Sequence, residues 1–517
     1  MTVESGDSAL RTTHGLADDE ELVSVAPAPL RMPEERRTAL DVLLKMASVD
    51  HPTDLGMHGP LQASRANPEN RGNAEVRRYE AVFGRDALYA AEFLGEAFPQ
   101  LEARTVRYLA GFQALRRDPS KQAEYGKIAN HIRLPQDPLA IRLTRETGRR
   151  WPWYGATDTT VQFIAAAGRV LTKGLVPVDD VVCLPKASGW PASIPWPHEG
   201  RGRTLGDAVV AASEWLCQSL DRRPESGLLW AGLNDRDSFT VWTDSPNAFA
   251  TPAGRIPRPP IAPLQLQGQA YDALLALASL SARFPELRLD GADMTQRADR
   301  LKARVLQHFV VEGCEPWLAA AAERLGGRTL PMASMTVSGA CVLASGLLDE
   351  DRDASLRMGI VRRIFAPSMS SFFGLVGRDR SEAKFQVYDY HSQVWGFACH
   401  LVARGLVRHG LPLLAQELDA RLLRQTKHGL FPENVGGGTG QDLTYCPHVL
   451  RVRRRAPDGR WTVTVKERPP APYAAWTAAA VHAIESTNAV AASGPEQTIE
   501  TEILAASPSS HRAIVGL

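Results

Sequence analysis

The chain has 517 residues, of which 44% are hydrophobic and 23% charged, and a formal net charge of +1. That length allows a sizeable core, in one large helical domain or two to three smaller units. The even charge balance gives no pull toward nucleic acid or an anionic membrane surface, and no run of about 18 apolar residues is present to span a bilayer. A neutral ligand fits this balance better. The six cysteines are scattered without a CxxC pair, which argues against a zinc ribbon or a disulfide scaffold and for a reducing compartment. With no basic and apolar leader at the start, the expected location is cytoplasmic.

Taken in chain order, residues 1–30 read as a polar tail, and residues 31–486 as one catalytic domain built mainly of helices. VFGRDALYAAEFL opens the first clear helical pattern. WPWYGATDTT leads into a second, VQFIAAAGRVL, with Asp158 at the position where an N-cap would sit. DAVVAASEWLCQSLD and GQAYDALLALASLSARF repeat the amphipathic pattern. VWGFACHLVARGLVRHG sets Trp395, Ala398, Val402 and Leu406 on one face and closes on Arg408, His409 and a Gly stop. Strand signals are sparse. The clearest is HVLRVRRRAPDGRWTVTVKER, two alternating runs around an Asp-Gly turn, which predicts a small β-hairpin insertion over 448–468. Residues 487–517 read as a second tail.

The unusual residues fall in short loops that open helices. VFGRDA, WYGATD, QLQG, DYHSQ and APYAAW each precede an apolar-periodic run, as expected for one rim of a helical array. Arg85 and Asp86 are adjacent in the first. Asp158 follows Trp153 and Tyr154 in the second, and Asp244 follows Trp242 in VWTDSPNAF. Each of these acids also has a plain reading as a cap or a turn former. Glu433, between Pro432 and a glycine run, has no such structural demand on it. The glycines are no phosphate cradle, since no strand precedes them and no Lys-Ser or Lys-Thr follows. Carboxylates flanked by Trp and Tyr in successive loops suit sugar chemistry: aromatic faces stack on pyranose rings, and carboxylates and Arg bind hydroxyls. Glycoside hydrolysis needs one carboxylic acid to protonate the leaving oxygen and a second carboxylate to activate water or to attack.

The ordered set FGRDAL, EYGKI, PWYGATDTT, PPIAPLQLQGQAYDAL, YHSQVW, FPENVGG and APYAAW resembles the bacterial amylo-α-1,6-glucosidase-like (glycogen debranching) hydrolases, and more distantly glucoamylases and neutral invertases. The resemblance runs from about residue 78 to 485. It implies an all-α fold, an (α/α)6 toroidal barrel, and a metal-free, cofactor-free hydrolase acting on an α-linked glucoside or related small glycoside, by inversion. By the same resemblance Arg85 and Asp86 hold the terminal sugar, Asp158 is the general acid and Glu433 the general base. In the glucosidase I and trehalase relatives the acid falls instead at a loop matching Asp244; Asp158 is the preferred assignment. An inverting pair stands roughly 6.5–9.5 Å apart. Partial burial against Trp151 or Trp153 would keep the acid protonated. Trp153, Tyr154, Trp242, Gln267, Tyr390, His391, Trp395 and Trp476 complete the expected sugar-binding set. The chain departs from the family at His131 and Gln265, each in place of a Glu, and at Trp395-Gly-Phe-Ala in place of Trp-Pro-His-Asp. These losses, and the lack of room for a β-rich N-terminal domain, point to a small glycoside. The alternatives are a carbohydrate-binding protein that has lost turnover, and a barrel phosphorylase.

Overall fold

The computed structural model describes residues 79–133, 137–182, 202–232, 240–245, 247–387, 389–426, 429–440, 448–455, 461–468, 473–488 and 495–506, together with a few isolated positions before residue 64 and Ala471. The expected tail at 1–30 and the Asp-Gly turn of the C-terminal hairpin lie outside them. Within the described residues there are thirteen α-helices and eleven short strands. The helices are α1 (Gly84–Leu94), α2 (Pro99–Gly111), α3 (Pro138–Thr147), α4 (Asp158–Thr172), α5 (Leu205–Asp221), α6 (Leu264–Arg283), α7 (Gly291–Phe309), α8 (Val337–Ala340), α9 (Ala354–Ile364), α10 (Gly396–Arg408), α11 (Pro412–Gln425), α12 (Ala475–Asn488) and α13 (Pro495–Ala506).

Two kinds of helix are present. α4 buries twelve of its fifteen residues, so it is covered on nearly every side. α7 buries only six of nineteen, spaced at Met294, Ala298, Leu301, Lys302, Val305 and Phe309, which is one stripe of an otherwise polar helix. Six helices contact one another in a closed circuit: α1 against α4, α4 against α6, α6 against α8, α8 against α10, α10 against α12, and α12 back against α1. The others lie on that circuit, α2 against α1 and α4, α7 against α6, and α11 against α10 and α12. Small residues set the spacing. A Cβ on Gly168 of α4 would stand 3.0 Å from the Ala276 Cβ of α6, so the closest approach of these helices needs both small side chains.

The helix limits follow local chemistry. Thr204 and Asp207 form a reciprocal capping box at the start of α5. Gly410, at φ 74°, ends the run after α10 in the left-handed conformation that glycine adopts without strain. Trp395, Ala398, Val402 and Leu406 are all buried, as their spacing predicts. Within the segment expected as a C-terminal tail, α13 packs against α11, and its Glu500 accepts the Leu414 N–H at 3.0 Å.

The strands are few. β1 (Val82–Phe83) pairs with β2 (His131–Ile132) beside the start of α1. β3 (Ile261–Pro263) leads into α6, and β4 (Val310–Val311) pairs with β5 (Trp317–Leu318) just after α7. β3 pairs antiparallel with β6 (Ala321–Leu325), which turns through Gly326 and Gly327 into β7 (Arg328–Met332). Both turn glycines have positive φ, as a two-residue hairpin turn requires. β8 (Ser370–Ser371) and β9 (Gly374–Leu375) form a short antiparallel pair. Near the C-terminus β10 (His448–Arg455) pairs antiparallel with β11 (Trp461–Arg468), from His448↔Arg468 to Arg455↔Trp461. Among the described residues no helix is long and apolar enough to cross a membrane.

Candidate active site

The circuit brings the N-terminal ends of α1, α4, α6, α10 and α12 to one place, because the residues at those ends touch one another. Arg85, in the first turn of α1, donates from Nη1 to both carboxylate oxygens of Asp158, the first residue of α4, at 3.3 and 3.2 Å. The Trp242 N–H donates to Asp158 Oδ2 at 3.0 Å. The Trp242 indole N–H donates to Gln265 Oε1 at the start of α6, at 2.6 Å. Its ring packs edge-on against His391, Trp395 and Phe397, and Trp395 in turn meets Trp476 at the start of α12. Tyr390 OH donates to Glu433 Oε1 at 2.6 Å, and the Ala471 N–H donates to Glu433 Oε2 at 3.2 Å. Ten of the thirteen expected residues therefore form one connected cluster: Arg85, Asp86, Asp158, Trp242, Asp244, Tyr390, His391, Trp395, Glu433 and Trp476.

Three do not join it. Gln267 is 0% exposed, and its amide is taken up by backbone: Oε1 accepts from the Leu229 N–H, and Nε2 donates to the Leu229 and Pro263 carbonyls. It ties the 229 segment to α6 and has nothing left for a ligand. Tyr154 points its hydroxyl into the core, donating to the Phe112 carbonyl at 2.7 Å. Trp153 packs in a separate small apolar cluster with Trp151, Ala140 and Leu143, under the Arg149 guanidinium. The tryptophan bonded to Asp158 is Trp242, not Trp151 or Trp153. Trp395, 1% exposed, supports the cluster from within and donates its indole N–H to the Tyr390 carbonyl.

Among the four acids, Glu433 is 5% exposed with both oxygens accepting hydrogen bonds, and the other three differ in environment. Asp158 is 2% exposed, and both its oxygens accept hydrogen bonds. Burial raises its pKa, against the opposing pull of Arg85 and the Trp242 and Thr159 N–H groups. It pairs with Arg85, and Thr157, not Asp158, holds the N-cap position of α4. Asp86 is also buried, but Arg85 has spent Nη1 on Asp158 and stands 3.9 Å away through Nε. Burial, helped by the nearby Glu433 charge, pushes Asp86 from 3.8 up to about 7, and its Oδ2 makes no hydrogen bond. Asp244 is surrounded by protein, yet 56% of its side-chain surface is open, which places it on a concave wall. Burial there works upward, but His391, whose Nε2 is 3.7 Å from Oδ1, together with Arg85 and Arg149, outweighs it and lowers the pKa.

The Asp86 environment has a consequence for stability. Its folded pKa lies above its unfolded value, so the folded chain keeps a proton that the unfolded chain has lost between about pH 4 and about pH 7. Stability should fall as pH rises through that window and level off above it. Asp86→Asn should reduce the loss between pH 5 and pH 8, measured as the urea midpoint. An unchanged difference would show that Asp86 is not the titrating group.

Arg378 and Asn247, which the sequence did not single out, hold the loops in place. Arg378, buried, donates to the carbonyls of Asn247, Ala248 and Ala250 and pairs with Glu382 at 2.6 Å. Asn247 Nδ2 donates to Asp389 Oδ2 at 2.7 Å, and the other oxygen of Asp389 accepts the His391 N–H at 3.0 Å. The loop carrying Asp244 is thereby fixed to the loop carrying His391. Gln265, where the resemblance led to the expectation of a Glu, bridges the Trp242 indole to the Tyr89 hydroxyl, which also accepts from Gln269. His131, at the second position where the resemblance implied a Glu, accepts from Arg133 Nε at 2.9 Å and stacks on Phe83. Among the described residues no group of three His, Cys, Asp or Glu is placed to hold a metal ion.

No protein-family model matches the sequence, and no curated protein matches it. Solved structures do. A wild-type glycosidase aligns over 91% of this chain and 98% of its own, with a TM-score of 0.51 at 16% identity. A variant glycosidase in complex with glucose gives 0.51 at 15%, again over 91% and 98%. The GH63 mannosylglycerate hydrolase of Thermus thermophilus, in complex with Tris and D-glycerate, gives 0.54 at 14% over 87% and 100%. The chain shares the fold of these glycosidases. At such identities the likeness concerns the backbone path, so the chemistry rests on the residues of the cluster.

Proposed function

We propose that this chain is a glycoside hydrolase acting on an α-linked glucoside or related small glycoside, on an (α/α)6 barrel, with Asp244 and Glu433 as its acid and base. The contact circuit of six helices supports the barrel. The fold shared with glycosidases, one of them bound to glucose, supports the substrate class. The observation that carries the reading is the cluster itself: several carboxylates, one Arg and a wall of Trp, Tyr and His at the converging helix ends. Such a surface stacks a sugar ring and binds its hydroxyls.

Exposure separates the two candidates for the acid. A general acid must reach the leaving oxygen. Asp244 presents open surface, whereas both oxygens of Asp158 are engaged and almost fully covered. This favours Asp244 and departs from the sequence-based preference for Asp158. The pKa of Asp244 is held down in the open cleft; a bound sugar that displaces water strengthens the upward influence of burial. The proton then passes from Asp244 to the leaving oxygen as the glycosidic bond breaks. Glu433, oriented by Tyr390 and the Ala471 N–H, takes a proton from the water that attacks the anomeric carbon from the opposite face, which inverts the configuration. Asp86, with an unbonded oxygen, and Arg85 suit the hydroxyls of the terminal sugar.

The experiment is hydrolysis of a panel of disaccharides and aryl glycosides with and without phosphate. Sugar release independent of phosphate supports the proposal; a strict phosphate requirement points to a phosphorylase. The loop clamp adds a second expectation. Asn247→Ala should lower kcat by about tenfold with KM little changed, because it frees the Asp244 loop from Asp389 while leaving the sugar-binding wall intact. Unaltered kcat would mean that this hydrogen bond does not position Asp244.

A further inference from the structure

A second cavity lies behind the wall of the cleft, with Glu124, Lys127, Thr157, Ser219, Arg222 and Thr240 in its lining. Thr157 and Thr240 form the partition: the next residue of each segment, Asp158 and Val241, lines a small cavity on the other side together with Trp242 and Gln265. The partition is closely bonded. The Thr157 N–H donates to the Thr240 carbonyl at 2.7 Å, the two hydroxyls stand 2.9 Å apart, and the Gly232 N–H donates to Thr240 Oγ1 at 2.7 Å. Thr240 sits at φ 55°, a left-handed conformation that costs a β-branched residue energy and that recurs at ligand clamps and switch segments.

The far side of the cavity belongs to α5, where Trp215 and Ser219 lie one turn apart. The segment before Lys127 is pressed onto this helix, since a Cβ on Gly126 would stand 2.0 Å from the Ala211 carbonyl oxygen. Lys127 Nζ is thereby held 5.7 Å from the centre of the Trp215 ring.

The charges in this cavity do not balance. Glu124 is spent on Arg222, with which it pairs, and on the Trp215 indole N–H, which it accepts at 2.8 Å. Lys127 is 6% exposed, and its ammonium group reaches the Gln122 carbonyl at 3.4 Å, which is long for a hydrogen bond. Burial lowers its pKa to about 8, with the Glu124 charge opposing and the Arg222 charge adding to the shift. Ser219 is 2% exposed, and among the described residues its hydroxyl has no hydrogen-bond partner. Water would satisfy the hydroxyl but leave the buried cation uncompensated. The space takes about one or two water-sized groups, too few for a sugar ring.

We propose that this cavity binds a small inorganic anion of halide size between Lys127 Nζ and Ser219 Oγ, with Arg222 at its edge, and that the bound anion braces the partition carrying Asp158 and the loop to Asp244. The site stands apart from the sugar reading, and its test does not depend on turnover.

The test uses the full chain in sodium bromide and in sodium gluconate at equal ionic strength, so that screening is matched and the anions differ in whether they fit. Crystals in bromide should show an anomalous peak between Lys127 Nζ and Ser219 Oγ. In solution, bromide should slow amide hydrogen exchange in the peptides spanning Thr157 and Gly232, read by mass spectrometry, with a saturating dependence that gluconate lacks. Ser219→Ala should weaken the apparent bromide affinity about tenfold, as expected for a lost hydrogen bond to a charged group. Lys127→Met should abolish both the peak and the protection. No bromide peak in this cavity, a peak that persists in Lys127→Met, or full bromide affinity in Ser219→Ala would overturn the proposal. So would bromide density without slower exchange at Thr157, which would mark an adventitious ion only.

Discussion

Glu433→Gln should lower kcat for sugar release on the order of 10³-fold while leaving the fold and sugar binding in place. The amide keeps the size of the carboxyl group, and the Tyr390 hydroxyl, now 2.6 Å from Oε1, can accept as well as donate. The loss should therefore appear in kcat and not in KM, because the missing proton acceptor acts on water only during reaction. Near-normal turnover in this variant would remove Glu433 from the chemistry. A large rise in KM with kcat preserved would make it a sugar-binding residue.

The second large effect separates Asp158 from Asp244. Asp158→Asn leaves the buried Arg85 guanidinium without its main counterion, so the variant should be less stable by about 3 kcal/mol, at the lower end for a broken buried pair because Asp86 stands close by. Asp244→Asn removes an open carboxyl group and should leave stability nearly unchanged. It should instead lose on the order of 10²-fold or more in kcat on substrates with poor leaving groups. Aryl glycosides with activated leaving groups need little protonation and should recover most of that loss. If Asp158→Asn is the variant that stays stable and is rescued in this way, the acid is Asp158, and the open surface of Asp244 serves another purpose.

The helical core was legible because its residues obey a strict period. The run from Trp395 to Gly410 shows its buried face, its basic last turn and its glycine stop in the sequence, and α10 follows it closely. The hairpin of β6 and β7 was missed although AERL-Gly-Gly-RTLP carried the Gly-Gly turn signal; its alternation is short and its outer residues are charged. In the site, the acids and aromatics stood out by type and by their place before helices. Which of them face the cleft did not, because exposure depends on partners distant in sequence. Gln267 and Tyr154 look like ligand-binding residues until the Leu229, Pro263 and Phe112 backbone groups are seen to occupy them. The partners of Asp158, 73 and 84 residues away, are equally invisible in the local sequence. Arg378 gave no signal at all, since a buried clamp on backbone carbonyls leaves no local pattern.

The most direct test of the central claim is the configuration of the first sugar released from an α-linked aryl glucoside, followed by NMR in phosphate-free buffer with wild type and Glu433→Gln side by side. The account predicts β-configured sugar at the earliest times from the wild type and almost none from the variant. α-Configured product, or tight sugar binding with no release by the wild type, would contradict it.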